Sequence, residues 1–161
     1  MEAYIKAISY KMGDHEVTNA DIVRDFPDWS EQKISVKIGI DKRYVAGKKT
    51  ASDLAYDAAE KLFEEHQIDR TIIDAVIFCT QSPDYFLPTT ACILQDRLGL
   101  RKDIMAFDYN LGCSGFVYGC GIAKALIKGE MAKNVLLLTA ETYNKYIHPK
   151  DRGNRSLFSD A

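Results

Sequence analysis

No stretch of this chain approaches the roughly 20 apolar residues that a membrane-spanning helix needs. Its apolar runs are short, as in "DAVIFCT" (74–80) and "NVLLLTA" (134–140). An excess of one charge is also missing. Lys and Arg number 21 against 23 Asp and Glu, a formal net charge of −2 over 161 residues. Nucleic-acid binding calls for clustered cations, and "GKKT" and "DKR" are too short to supply them. Histidine is scarce, and His15, His66 and His148 share no ligand spacing. The four cysteines, Cys79, Cys92, Cys113 and Cys120, form no C-x-x-C pair. Zinc and thioredoxin-type sites are thereby excluded, and no metal site is expected. The N-terminal "MEAYIKAISYKMGD" lacks the long apolar core and small-residue cleavage site of a secretory signal. Thiols among apolar neighbours, without a pairing pattern, read as reduced cysteines of a cytoplasmic protein. Internal repeats and low-complexity segments are absent too.

What is there is an alternation of strand and helix patterns. "AYIKAIS" (3–9) predicts a short strand, "TNADIVRDF" (18–26) a helix capped by Thr18 or Asn19, and "SEQKISVKIG" (30–39) a second helix. After Thr50, the residues Ala51, Leu54, Ala55, Ala58 and Leu62 recur at helical spacing as the buried stripe of a long helix. Strands are predicted at 74–80, 104–110 and 134–142, helices at 89–99 and 114–129, and a last strand from "SLFSDA" (156–161). Strands that are apolar throughout and alternate with helices argue for an α/β domain, a mostly parallel sheet with helices on both faces.

One cysteine stands apart. In "YNLGCSGFVYG" (109–119), Cys113 lies where a strand gives way to a helix. Ligands of parallel α/β sheets gather beyond the carboxyl ends of the strands. A helix N-terminus favours negative charge, and a thiolate is the nucleophilic form of cysteine. Gly112 and Gly115 are read as removing side chains that would crowd an approaching substrate. Cys79, Cys92 and Cys120 read as small buried hydrophobes.

"AFDYNLGCSGFVYG" resembles the active-site segment of the thiolase superfamily, most closely of 3-oxoacyl-[acyl-carrier-protein] synthase III. Further pieces fit in order: "VTNADIV", "GIDKRYVA", "TASDLAYDAA", "FLPTTACILQDRLGL" and "HPKDRGNRSLFSDA". The resemblance covers almost the whole chain. It implies a thiolase-like fold in which residues 1–161 are the nucleophile-bearing N-terminal half, with the C-terminal half absent.

The rest follows from that resemblance. Cys113 would be acylated by an acyl-coenzyme A primer and then condensed with malonyl-acyl-carrier protein, starting fatty-acid synthesis. Its backbone N–H would be one oxyanion donor. The family's histidine and asparagine lie in the other half, so this chain alone is expected not to complete condensation. Arg152, in the "DRG" loop, would contact the adenine end of coenzyme A, and Lys37 stands where a second cation for that ligand is common. Lys33 stands where well-studied members place a tryptophan that stacks on adenine. Leu87 would reach across a homodimer into the partner's acyl pocket. Ser159 replaces the first glycine of the family's "GDGAGA" motif. No tightly bound cofactor is implied. Two alternatives stay open: another thiolase-fold condensing enzyme (polyketide, long-chain ketone or hydroxymethylglutaryl thioester type), or an inactive dimerisation and binding half.

Overall fold

The computed structural model describes residues 2–161. In chain order its elements are β1 (His15–Thr18), α1 (Asn19–Asp25), α2 (Glu31–Ile38), β2 (Lys42–Val45), α3 (Ala51–Glu65), β3 (Ala75–Cys79), α4 (Thr90–Arg97), β4 (Met105–Tyr109), α5 (Gly115–Lys128), β5 (Val135–Thr139) and α6 (Arg152–Leu157). Single 3-10 turns lie at Arg70–Ile72 and Tyr143–Tyr146. These elements form two compact units. One, the sheet unit, comprises residues 2–11 and 50–141; the other, the ladder unit, comprises Met12–Lys49 and Thr142–Ala161.

The sheet unit is built on a parallel sheet of order β4-β3-β5. Ala75 to Cys79 of β3 lie level with Met105 to Tyr109 on one side and Val135 to Thr139 on the other. β3 reads "AVIFC" because both of its faces are covered, and Val76, Ile77 and Phe78 are fully buried. α4 packs on β3 and β4, whereas α5 packs on β5 and β3. The β3-to-β4 crossover and the β4-to-β5 crossover run in opposite directions across the sheet, so right-handed connections put these helices on opposite faces. α3 packs against α4 and β5. Its buried residues are Ala51, Ser52, Leu54, Ala55, Ala59 and Phe63. The expected stripe is thus right at its start and turned at its end: Ala58 and Leu62 are half-buried. The 3.6-residue period carries the buried face on to Ala59 and Phe63. Residues 3–9 form no strand. No strand among the described residues pairs with them, and Tyr4, Ile5 and Ile8 stay exposed.

The ladder unit holds an antiparallel pair, β1 and β2, running from His15 opposite Val45 to Thr18 opposite Lys42. Sequence reading missed both strands, because "HEVT" and "KRYV", four residues each, are too short and too polar to show apolar alternation. The expected strand at 156–161 is also corrected. Asp151 accepts from the Asn154 backbone N–H at 3.1 Å and so starts α6, which runs through Leu157. Beyond it, Asp160 N donates to Tyr44 O at 2.7 Å. Ser159 Oγ accepts from Tyr44 N at 2.9 Å and donates to Tyr44 O at 3.1 Å. Ser159 therefore ties this segment to β2 with a hydroxyl that a glycine would lack.

Candidate active site

The carboxyl ends of the three parallel strands lead into linked loops. Thr80 N donates to Tyr109 O, and Ala140 N donates to Cys79 O. Gln81 N and the Ser82 hydroxyl donate to the Glu141 carboxylate at 2.6 and 2.7 Å. Beside this ring of loops β4 ends, and the turn through Gly112, Cys113 and Ser114 leads into α5. Cys113 is exposed there.

The start of α5 differs from the other helix starts. Thr18 and Thr50 close α1 and α3 with reciprocal capping boxes. Ser30 caps α2 and Asp151 caps α6. α4 is closed from a distance, because the Asp108 carboxylate accepts from Thr90 N and Ala91 N at 2.6 Å each. Among the described residues no side chain caps α5, and its first turn carries no acidic residue. An uncapped helix start keeps its positive end for whatever anion approaches. Among the described residues, every α-helix start is thus closed by a side chain except the one beside Cys113.

The glycines around Cys113 also make room for the protein's own side chains. A Cβ on Gly112 would lie 2.7 Å from Gln81 Oε1. One on Gly115 would fall on Cys79 Sγ. Cys79 is buried as expected, Cys120 is half-buried, and Cys92 is exposed, so the small-hydrophobe reading fails for Cys92.

The other expected site residues fall in different places. Leu87 is 83% exposed and follows Phe86, which is fully exposed, in the loop between β3 and α4. Arg152 and Lys37 belong to the ladder unit. Lys37 is exposed in the last turn of α2. Arg152 opens α6, pairs with Asp28 rather than Asp151, and holds its guanidinium 5.2 Å from the centroid of the Trp29 ring. Lys33 Nζ lies 5.9 Å from the same centroid. Sequence reading looked for an aromatic at position 33 and missed Trp29. Its single signal was that it is the chain's lone tryptophan, just ahead of the Ser30 cap. Tyr109, Gln81 and Glu141 were missed as well, because they lie at or just past the carboxyl ends of three different strands.

No group of three His, Cys, Asp or Glu among the described residues could hold a metal. No helix of the described residues is long and apolar enough to cross a membrane.

A parallel α/β sheet delivers an exposed thiol to an uncapped helix start, and the solved structures that superpose on this chain give the class, a thiolase-like fold. Comparison with known proteins agrees. The family model for 3-oxoacyl-[acyl-carrier-protein (ACP)] synthase III matches residues 107–161. A beta-ketoacyl-[acyl-carrier-protein] synthase III of Clostridium perfringens is 39% identical over 139 residues, 86% of this chain and 43% of that protein. Its namesake from Coxiella burnetii is 34% identical over 161 residues, 99% of this chain and 50% of that protein. A crystal structure of a 3-oxoacyl-(acyl-carrier-protein) synthase III superposes with a TM-score of 0.97 at 48% identity, covering 99% of this chain and 48% of that one. Over almost its whole length the chain is similar to the N-terminal half of 3-oxoacyl-[acyl-carrier-protein] synthase III proteins. It spans about half the length of the curated relatives it matches.

Proposed function

We propose that this chain is the nucleophile-bearing half of an acyltransferase that condenses an acyl-coenzyme A primer with malonyl-acyl-carrier protein to start fatty-acid synthesis. The observation that carries the reading is the exposed Cys113 beside the one helix start left uncapped. In the first step the Cys113 thiolate attacks the thioester carbonyl carbon. The bond from that carbon to the coenzyme A sulfur breaks, and coenzyme A leaves with the proton that Cys113 gave up. The oxyanion formed in between meets the Cys113 backbone N–H at the positive end of α5. A thiolate is both a good nucleophile and a good leaving group, so one hard acyl transfer becomes two easier ones. In the second step, malonyl-carrier protein loses carbon dioxide. The resulting carbon nucleophile takes the acyl group, and the Cys113 thiolate is released. The histidine and asparagine that the family uses for this step lie outside these residues, so this chain alone does not complete condensation.

Coenzyme A is recognised in the ladder unit by Arg152 and Lys37. Trp29, already stacked against Arg152, supplies the aromatic face for adenine that position 33 lacks. Leu87, on its exposed loop, lines the partner's acyl pocket in a cytoplasmic homodimer. The synthase III name borne by the matched relatives favours this reading over the other thiolase-fold condensing enzymes.

The test is intact-protein mass spectrometry after exposure to acetyl-, isobutyryl- and longer acyl-coenzyme A, with Cys113→Ala alongside. A single acyl adduct, absent from the alanine variant, is expected. An adduct that persists in Cys113→Ala, or none on a folded protein, overturns the assignment.

A further inference from the structure

Cys113 is flanked by two carbonyls, each tied down from below. Two residues before it, Leu111 O accepts from the Cys79 thiol at 3.3 Å. Two residues after it, Gly115 O accepts from the Tyr109 hydroxyl at 2.7 Å. Cys79 and Tyr109 are paired in register as the last rung of β3 and β4. One rung of the sheet thus holds the backbone on both sides of the nucleophile. Gly115 N closes the turn by donating to Gly112 O at 2.8 Å.

The two glycines of the helix belong to the same arrangement. A Cβ on Gly119 would fall on the Tyr109 hydroxyl and come within 2.6 and 2.9 Å of the Leu137 methyls. Gly115 stands to Cys79 as Gly119 stands to Tyr109. Glycine inside a helix costs about 1 kcal/mol against alanine. Neither position has a positive φ to explain it. What these glycines allow is close approach, which brings a phenol and a thiol up to the first turn of α5. Burial, with the Cys79 thiol adding to it, raises the pKa of Tyr109, so the phenol keeps the proton it donates.

We propose that Tyr109, admitted by Gly119, is a positioning residue for Cys113, fixing the first turn of α5 through Gly115 O while Cys79 fixes Leu111 O. This rests on the reading of Cys113 as the acylated thiol. Acyl transfer is steep in geometry, so loosening the turn slows the bond-making step without touching coenzyme A recognition, which the reading assigns to other residues.

The test uses the protein as its gene encodes it and follows Cys113 acylation against acyl-coenzyme A concentration. Tyr109→Phe keeps the ring and removes the donor. Its limiting acylation rate is expected to fall about tenfold, the scale of one lost hydrogen bond, with the half-saturating concentration unchanged within about twofold. Gly119→Ala, which crowds the Leu137 methyls as well as the Tyr109 hydroxyl, is expected to slow acylation more in the natural background than in Tyr109→Phe, since the two changes share the Tyr109 contact. A wild-type limiting rate in Tyr109→Phe overturns the proposal, and so does the same loss from Gly119→Ala in both backgrounds. Iodoacetamide labelling separates the proposal from the reading beneath it. Cys92, an exposed thiol on another helix, is the internal reference. The ratio of Cys113 to Cys92 labelling is expected to change severalfold in Tyr109→Phe even if no acyl donor is accepted. An unchanged ratio overturns the positioning role. A wild-type protein that takes no acyl group overturns only the reading of the reaction.

Discussion

The two units are held together by different means. The sheet unit buries apolar side chains: Val76, Ile77 and Phe78 on the central strand, Leu54 on α3, and Leu94 and Leu98 on and after α4. The ladder unit has few of these, chiefly Ile22, Ile34 and Ala46, and buries Arg43 and Asp160 among them. Arg43 donates to Ser156 O at 2.7 Å, Asn19 Oδ1 at 2.5 Å and Ile40 O at 3.2 Å. Asp160 accepts from Ala46 N at 2.9 Å, Asn144 N at 3.0 Å and Asn144 Nδ2 at 2.9 Å. The difference is one of tolerance. Apolar burial scales with area and accepts substitutes of similar size. A buried polar hub has specific partners, and removing it leaves each of them unsatisfied.

The largest expected effect breaks the ladder unit alone. Asp160→Ala strands the Ala46 and Asn144 donors and is expected to cost about 4 kcal/mol. Hydrogen exchange should show lost protection in the Ala46 and Asn144 amides while the amides of β3 keep theirs. Equal loss in both units would mean that they unfold together and that the contrast in their interiors has no consequence for stability. Conservative changes sharpen the point. Asp160→Asn keeps the shape but turns an N–H donor toward one of the existing donors, at a cost of about 2 kcal/mol. Ile77→Val, equally buried, should cost about 1 kcal/mol. Denaturant midpoints for the two variants rank them directly.

This contrast also explains what was legible in the sequence. Apolar burial writes itself as periodicity, so β3, β4, β5, α3 and α5 could all be read. The exposed thiol before α5 could be read too, from strand, glycines and helix in a row. Polar wiring leaves no period. β1 and β2 were invisible because their pairing depends on backbone bonds, and the buried role of Arg43 rests on Asn19 and Ser156, 24 and 113 residues away. Asp160 sat in a segment read as the start of a strand, yet its carboxylate serves loops rather than a ladder. Trp29 was overlooked for the same reason, since it meets Arg152 only after α6 folds back within the ladder unit. In the site itself, Tyr109 looked like one more strand residue, and only the close approach of Gly119 shows what its hydroxyl reaches.

A smaller effect concerns recognition. Arg152→Ala removes a guanidinium placed over Trp29 and should raise the half-saturating acyl-coenzyme A concentration for Cys113 acylation about tenfold. Trp29→Ala should act in the same direction. A fall in the limiting rate instead, with half-saturation unchanged, would move Arg152 from recognition to the chemistry.

The smallest effect lies where the two units are alike. α1 in the ladder unit and α3 in the sheet unit begin with the same reciprocal cap, Thr18 with Asp21 and Thr50 with Asp53. Both carboxyls are held below their ordinary pKa. For Asp21 the cause is the Thr18 side chain, then the Thr18 backbone N–H and Arg24. For Asp53 burial pushes the other way and is outweighed by the Thr50 backbone N–H and by Arg97. A carboxyl whose folded pKa is depressed stabilises the folded state fully above its unfolded pKa, about 3.9 for Asp. That contribution is lost as pH falls through the folded value. Protection at the starts of α1 and α3 should therefore hold steady from pH 7 to about pH 5 and decline together below about pH 4. Thr18→Ala and Thr50→Ala should each cost about 1 kcal/mol at neutral pH and flatten the acid response of their own helix. If protection of α1 were lost at a higher pH than that of α3, the ladder unit would be unfolding as a whole in acid. The caps would then have followed the polar interior rather than titrating by themselves, since charged and hydrogen-bonded groups, unlike buried Ile77 and Phe78, answer to protons.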